Sequence, residues 1–248
     1  MRARSRLGGS PGPAGGGPAL RTVRRPAPAQ TIGGRRLPRL RLPLIDRRLR
    51  IPAIVGGGLL LVGLFMLPER IHLGEPIHLD RSFVDDWIPF LQWTIWVYLS
   101  EYLFLILAIW FSADDRRRSD TVYGLVLTAI IGMVIFTLVP TSVMRQSPDL
   151  AGAAGFLWRF LFAVDTTGNA LPSLHVANTC LAAIALSSRR GLWWITVLVW
   201  AAMIILSTLT TKQHYAIDVL GGLILAAVSF VLVRFGVEHW RIGRGVRR

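Results

Sequence analysis

The stretch "TLTTKQHYAIDVLGG", residues 208–222, decides how this chain is read. An apolar run, "LWWITVLVWAAMIILS", ends just before it, and another, "LILAAVSFVLV", follows it. Between them lie Lys212, His214 and Asp218, and Lys212 is the only lysine in 248 residues. Ionisable residues at the edge of a bilayer-length segment cost free energy and point by default to function.

Working outward, the apolar residues fall in blocks rather than stripes. They make up 52% of the chain, with a mean hydropathy of +0.49, above the usual share for a soluble domain. A helix crosses a bilayer with about 20 mostly apolar residues, within a range of about 17–25. Six segments qualify: 51–67, 87–111, 121–139, 172–188, 192–208 and 216–233. The expected fold is therefore all-α, a polytopic membrane bundle of six helices within residues 51–234. Residues 150–164, "LAGAAGFLWRFLFAV", are too short to cross and contain Arg159. They are expected to form an interfacial helix, with Trp158 and Arg159 near the headgroups. Trp87, Trp110, Trp193 and Trp194 sit near span ends, as interfacial anchors do. The single cysteine, Cys180, reads as a small buried side chain.

The net charge of +14 is concentrated in the tails. Residues 1–50 hold thirteen arginines against Asp46, in a Gly- and Pro-rich context. Such a segment buries too little apolar surface to offset chain entropy, so it is expected to be disordered. Residues 235–248 form a second basic tail. This distribution argues against a nucleic-acid partner and suits attraction to anionic lipid headgroups. A cleaved signal peptide is not expected, because the first apolar run ends in "FMLPER" without a small-residue site. Basic loops mark the cytoplasmic side. With six spans, both tails, Arg116–Arg118 and Arg189–Arg190 share that side. The acidic loop at 68–86, the segment 140–171 and the turn around His214 then face outward.

Three separated segments bring polar groups to that outer face. They are Arg145 in "VPTSVMRQSPDL", Asn169, Ser173 and His175 in "TTGNALPSLHVANTC", and Ser207, Lys212, His214 and Asp218 in "STLTTKQHYAID". His214 and Asp218 are four apart, and share one helical face if the last span begins near Gln213. The carboxylate can hold one imidazole nitrogen and leave the other as a nucleophile. Pro172 suits a helix start, where free N–H groups around Leu174 and the Ser173 hydroxyl can bind an anion. His175 is placed for acid–base work. Arg145 and Lys212 supply positive charge for a phosphate. Two other readings of the same residues stand beside this one. His175, His214 and Asp218 could hold a metal, or the His and Asp could form a proton relay in a transporter. Neighbouring cations disfavour a metal, and positions at span ends disfavour a relay.

These residues resemble the motifs of the type 2 phosphatidic acid phosphatase superfamily. "PSLH", Pro172 to His175, is similar to that family's Pro-Ser-Gly-His motif. Ser207-Thr208, five residues, His214, three residues and Asp218 match its third motif in spacing, with Thr208 in place of arginine. The first motif is reduced to Arg145, with Leu138 in the lysine position and Gln146 in the proline position. The pattern looks most like the branch containing inositol phosphorylceramide synthases and related bacterial proteins. The resemblance covers roughly residues 121–233. It implies a six-helix core that needs no metal or cofactor and acts on a membrane lipid phosphate or diphosphate. It also implies His214 as nucleophile through a phosphohistidine, Asp218 as its orienter and His175 as acid and base. Arg145, Ser173, Ser207, Thr208 and the backbone at Leu174 would surround the phosphate. Lys212 is expected to replace a lost charge. Water as acceptor gives a phosphatase; an alcohol such as inositol gives a phosphotransferase.

Overall fold

The computed structural model describes residues 39–68, 71, 73–165, 168–187 and 191–240. Most of both predicted tails, together with Arg189 and Arg190, lies outside these residues. The described chain is mostly helical, with eight α-helices: α1 Arg50–Met66, α2 Phe83–Trp87, α3 Ile95–Phe111, α4 Asp115–Leu138, α5 Gly152–Val164, α6 Leu174–Leu186, α7 Leu192–Thr210 and α8 Ala216–Gly236. Two short parallel pairs of strands join distant segments. They are β1 Leu40–Pro43 with β4 Val237–Trp240, and β2 Ile77–His78 with β3 Thr141–Ser142.

Five helical segments are long and apolar enough to cross a membrane: Arg47–Met66, Gln92–Phe111, Asp115–Leu138, Leu192–Thr210 and Ala216–Gly236. The segment expected as a sixth, 172–188, holds the 13-residue α6. At about 1.5 Å per residue, α6 is shorter than the hydrocarbon core. Its helix starts only after Ser173, which caps it by accepting from the Val176 N–H at 3.4 Å. α6 nevertheless occupies the centre, packed against α3, α4, α7 and α8. Small side chains such as Ala177, Ala182 and Ala185 let its neighbours approach closely.

α8 approaches closest of all. A Cβ on Gly222 would lie 2.5 Å from the Ser173 carbonyl oxygen and 2.8 Å from Val176 Cβ. One on Gly221 would lie 2.7 Å from Leu171 Cδ1. The pair "GG" therefore sets the α6–α8 contact. α1 is different: it leans on α3 and α4 with no buried residue, and Gly56, Gly57 and Gly58 have nothing within reach of an added Cβ.

Three expectations change in the structure. The span 87–111 is broken. α2 ends at Trp87, Ile88 is extended, and a short turn at Gln92–Thr94 precedes α3. Pro89 lacks an N–H and disfavours helix at the residue before it. The tail 1–50 is not wholly unstructured, since β1 and the turn Arg47–Leu49 lie within it. Finally, Trp158 is fully buried beside Ile95, Tyr98 and Leu161 rather than at the headgroups. Its indole donates to the Gln92 carbonyl at 3.2 Å. Arg159 is exposed, with its guanidinium on the Leu150 carbonyl.

One end of the bundle is tied by Arg118, which is 1% exposed. Its guanidinium donates to the carbonyls of Ile109, Ile45 and Ser112 and to the Asp115 carboxylate. β1, β4 and the α3–α4 corner meet there, and His239 Nε2 lies 2.6 Å from Asp120 Oδ1. The polar residues singled out above gather at the other end.

Candidate active site

The turn after α7 is built by local hydrogen bonds. The Thr211 hydroxyl donates to the Ser207 carbonyl at 2.6 Å, and the His214 N–H donates to the Thr208 carbonyl at 3.2 Å. Lys212 takes a left-handed conformation, φ 55°, which reverses the chain. α8 then starts at Ala216, with Asp218 accepting from the Tyr215 N–H at 2.8 Å. Asp218 is completely buried. Its Oδ2 also lies 3.5 Å from His214 Nδ1, and that nitrogen is 3.1 Å from the Ala170 carbonyl oxygen. Both partners sit on the Nδ1 side, which leaves Nε2 as the available lone pair.

His175 is the second residue of α6. Its ring stacks on Tyr98, with centroids 4.1 Å apart and planes at 18°. The His175 and His214 rings are 6.4 Å apart. Arg145 reaches in from the segment after α4 and is paired with Asp165, at 3.1 Å to the carboxylate and 2.8 Å to the carbonyl. The Leu171–Pro172 peptide beside them is cis.

These groups share one cavity of about 450 Å³. Its polar end holds His175, His214, Arg145, Asp165 and Gln213, and Leu174 lines it too. Its long wall is apolar and comes from α1, α3 and α4, including Gly57, Leu61, Leu105 and Val126.

The structure does not bring every expected residue to this cavity. Ser173, Ser207 and Thr208 are buried with their hydroxyls on their own helices. Ser207 donates to Ile204 and Thr208 to Ile205. Asp218 acts from behind His214. Lys212 points elsewhere: its ammonium donates to the carbonyls of Asp85 at 2.6 Å and Ile88 at 2.5 Å, at the end of α2. Burial there lowers its pKa from the ordinary lysine value, helped by Arg81 and opposed by Asp85 and Asp86. The charge that the sequence promised to the phosphate is held by a helix C-terminus, a favourable place for a cation.

Sequence reasoning missed Glu101, Asp165, Tyr98 and Gln213. Glu101 carried a readable signal, since a carboxylate inside an apolar span is costly and needs a reason. Asp165 and Gln213 carried none, because only the folded chain shows what they face.

The two histidines, the carboxylate behind His214 and the arginine lie close together at one end of the bundle. Residues 63–232 match the PAP2 superfamily. The chain belongs to the PAP2 superfamily. Among curated relatives of this PAP2 protein is undecaprenyl-diphosphatase BcrC of Bacillus subtilis (strain 168). It is 28% identical over 149 residues, which cover 57% of this chain and 74% of the relative. No solved structure matches the chain significantly.

Proposed function

We propose that this PAP2 protein is a membrane lipid phosphatase that removes phosphate from a lipid phosphate or diphosphate. The observation that carries the reading is the cavity. Two histidines and an arginine stand at one end of an apolar groove opening among α1, α3 and α4. A substrate with a phosphate head and a long hydrocarbon tail fits that division. The name of the Bacillus relative, a diphosphatase of a lipid, agrees with it.

In the proposed cycle His214 Nε2 attacks phosphorus in line and a phosphohistidine forms. Asp218 and the Ala170 carbonyl hold the ring. Arg145, released in part from Asp165, stabilises charge on the phosphoryl oxygens, the main task in phosphoryl transfer. His175 protonates the leaving oxygen and then deprotonates the water that frees His214. No step calls on a metal.

A phosphotransferase of the inositol phosphorylceramide synthase type is the second reading. Three cavity-lining oxygens favour it: Glu101 Oε1, Asn169 Oδ1 and Gln213 Oε1 are buried with no hydrogen-bond donor among the described residues. Hydroxyls of an alcohol acceptor would satisfy them. We place residues 51–234 as one membrane domain of the cell membrane, with the 13-residue α6 as a short sixth crossing enclosed by its neighbours and basic tails at 1–50 and 235–248. Positive charge at the Arg118 end supports cytoplasmic termini and an extracytoplasmic site.

The deciding assay is phosphate release by the purified protein from lipid monophosphates and diphosphates, with and without inositol. Phosphate release without an alcohol supports the phosphatase. Lipid-dependent transfer to inositol without phosphate release supports the second reading.

A further inference from the structure

A second histidine–carboxylate pair lies in the cavity wall. Glu101 projects from α3, one of the membrane-length helices, and is 2% exposed. Its Oε2 stands 2.8 Å from His175 Nε2, at ion-pair distance, with the ring N–H off the line to the oxygen. Its Oε1 has no hydrogen-bond partner among the described residues. Tyr98, one turn earlier on α3, stacks on the same imidazole, and its hydroxyl lies 3.4 Å from Nδ1. Tyr102, on the next turn, meets the ring edge-on at 6.0 Å. Three residues of one α3 face thus grip the ring of a residue at the start of α6.

A buried carboxylate in an apolar helix is costly unless it is paired, and its place there calls for a reason. Packing alone does not explain it, because a glutamine or leucine would fill the same space without the charge. We infer that Glu101 is the positioning residue for His175, holding a proton on Nε2 so that Nδ1 exchanges the proton of the reaction. The inference rests on the phosphatase reading above and adds a residue to it.

The proton and electron balance is simple. The His214 Nε2 lone pair forms the N–P bond as the P–O bond to the lipid breaks. The leaving oxygen keeps the electron pair of that bond and takes the proton from His175 Nδ1. His175 is then neutral, still with its proton on Nε2 toward Glu101. Water next forms the new O–P bond and gives its proton to Nδ1, while the N–P bond breaks and restores His214. Glu101 neither gains nor loses a proton in either step. The arrangement repeats on His175 what Asp218 does on His214, with the roles of the two ring nitrogens exchanged.

The test compares two probes on the purified full chain. Dodecyl phosphate leaves as an alkoxide and needs a proton; p-nitrophenyl phosphate leaves as a stable phenolate and needs little. Glu101→Gln should lower kcat/KM for dodecyl phosphate by about 10²-fold but that for p-nitrophenyl phosphate by less than about tenfold, the scale of general acid catalysis. Glu101→Asp should restore part of the difference. The ratio of the two values is read within one preparation, so partial unfolding of a variant does not alter it. An unchanged ratio in Glu101→Gln overturns the inference while leaving the phosphatase reading intact. A wild-type protein inactive on both these probes and lipid phosphates overturns that reading and the inference with it.

Discussion

The Lys212 ammonium donates to the Asp85 carbonyl at 2.6 Å, joining positions 127 residues apart. Asp85 also reaches back: its carboxylate accepts from the Ala216 N–H at 2.7 Å and closes the capping box on Ser82. The outer segment carrying α2 is thereby locked to the turn that carries His214. Lys212→Met should destabilise the fold by about 2–3 kcal/mol, the scale of charge-assisted hydrogen bonds left unmade. Thermal unfolding in detergent measures this. Competitive inhibition by orthovanadate should be unchanged in the folded fraction. A large loss of vanadate affinity with normal stability would put the lysine back on the phosphate.

Arg145 should behave in the opposite way. It lines the cavity beside Asp165, and in the proposed cycle a phosphate takes part of that carboxylate's place. Arg145→Ala should lower kcat by about 10²–10³-fold, as loss of one oxyanion donor does. Steady-state phosphate release checks it, with unfolding curves as the control for stability.

Asp218 has two duties that a single variant exposes. Asp218→Asn should reduce kcat by about 10²–10⁴-fold through the misheld imidazole. It should also cost about 1 kcal/mol through the weakened start of α8. A variant with the stability loss but full turnover would assign Asp218 to capping alone.

The glycines separate packing from substrate fit. Gly222→Ala should destabilise by about 1–3 kcal/mol, because its Cβ meets the Ser173 backbone. Gly57→Phe projects into the cavity from the loosely packed α1. It should raise KM for long-chain lipid phosphates and leave hydrolysis of p-nitrophenyl phosphate alone. Chain-length series on both proteins read the difference.

Much of this was legible in the chain before folding. The His214–Asp218 spacing is local, but His214 lies in the turn before α8 rather than on its face, and that turn is what brings its Nδ1 to 3.5 Å from Asp218. The apolar blocks advertise spans. What could not be read depends on partners distant in sequence. Lys212 looked like a phosphate ligand because the carbonyls it binds are over 120 positions away. Trp158 looked interfacial because nothing local says that Ile95 and Tyr98 cover it. The short α6 shows the same limit from the other side. Its apolar residues predict a crossing, but the helix starts only after Ser173 and stops at Leu186.

In the proposed cycle phosphate passes through His214, and a trapping experiment can catch it there. The purified protein is mixed with lipid phosphate labelled at phosphorus, quenched in alkali after a few turnovers, and digested. An alkali-stable, acid-labile label is expected on the peptide carrying His214 and not in His214→Ala. Full turnover by His214→Ala, or label confined to another residue, would contradict it.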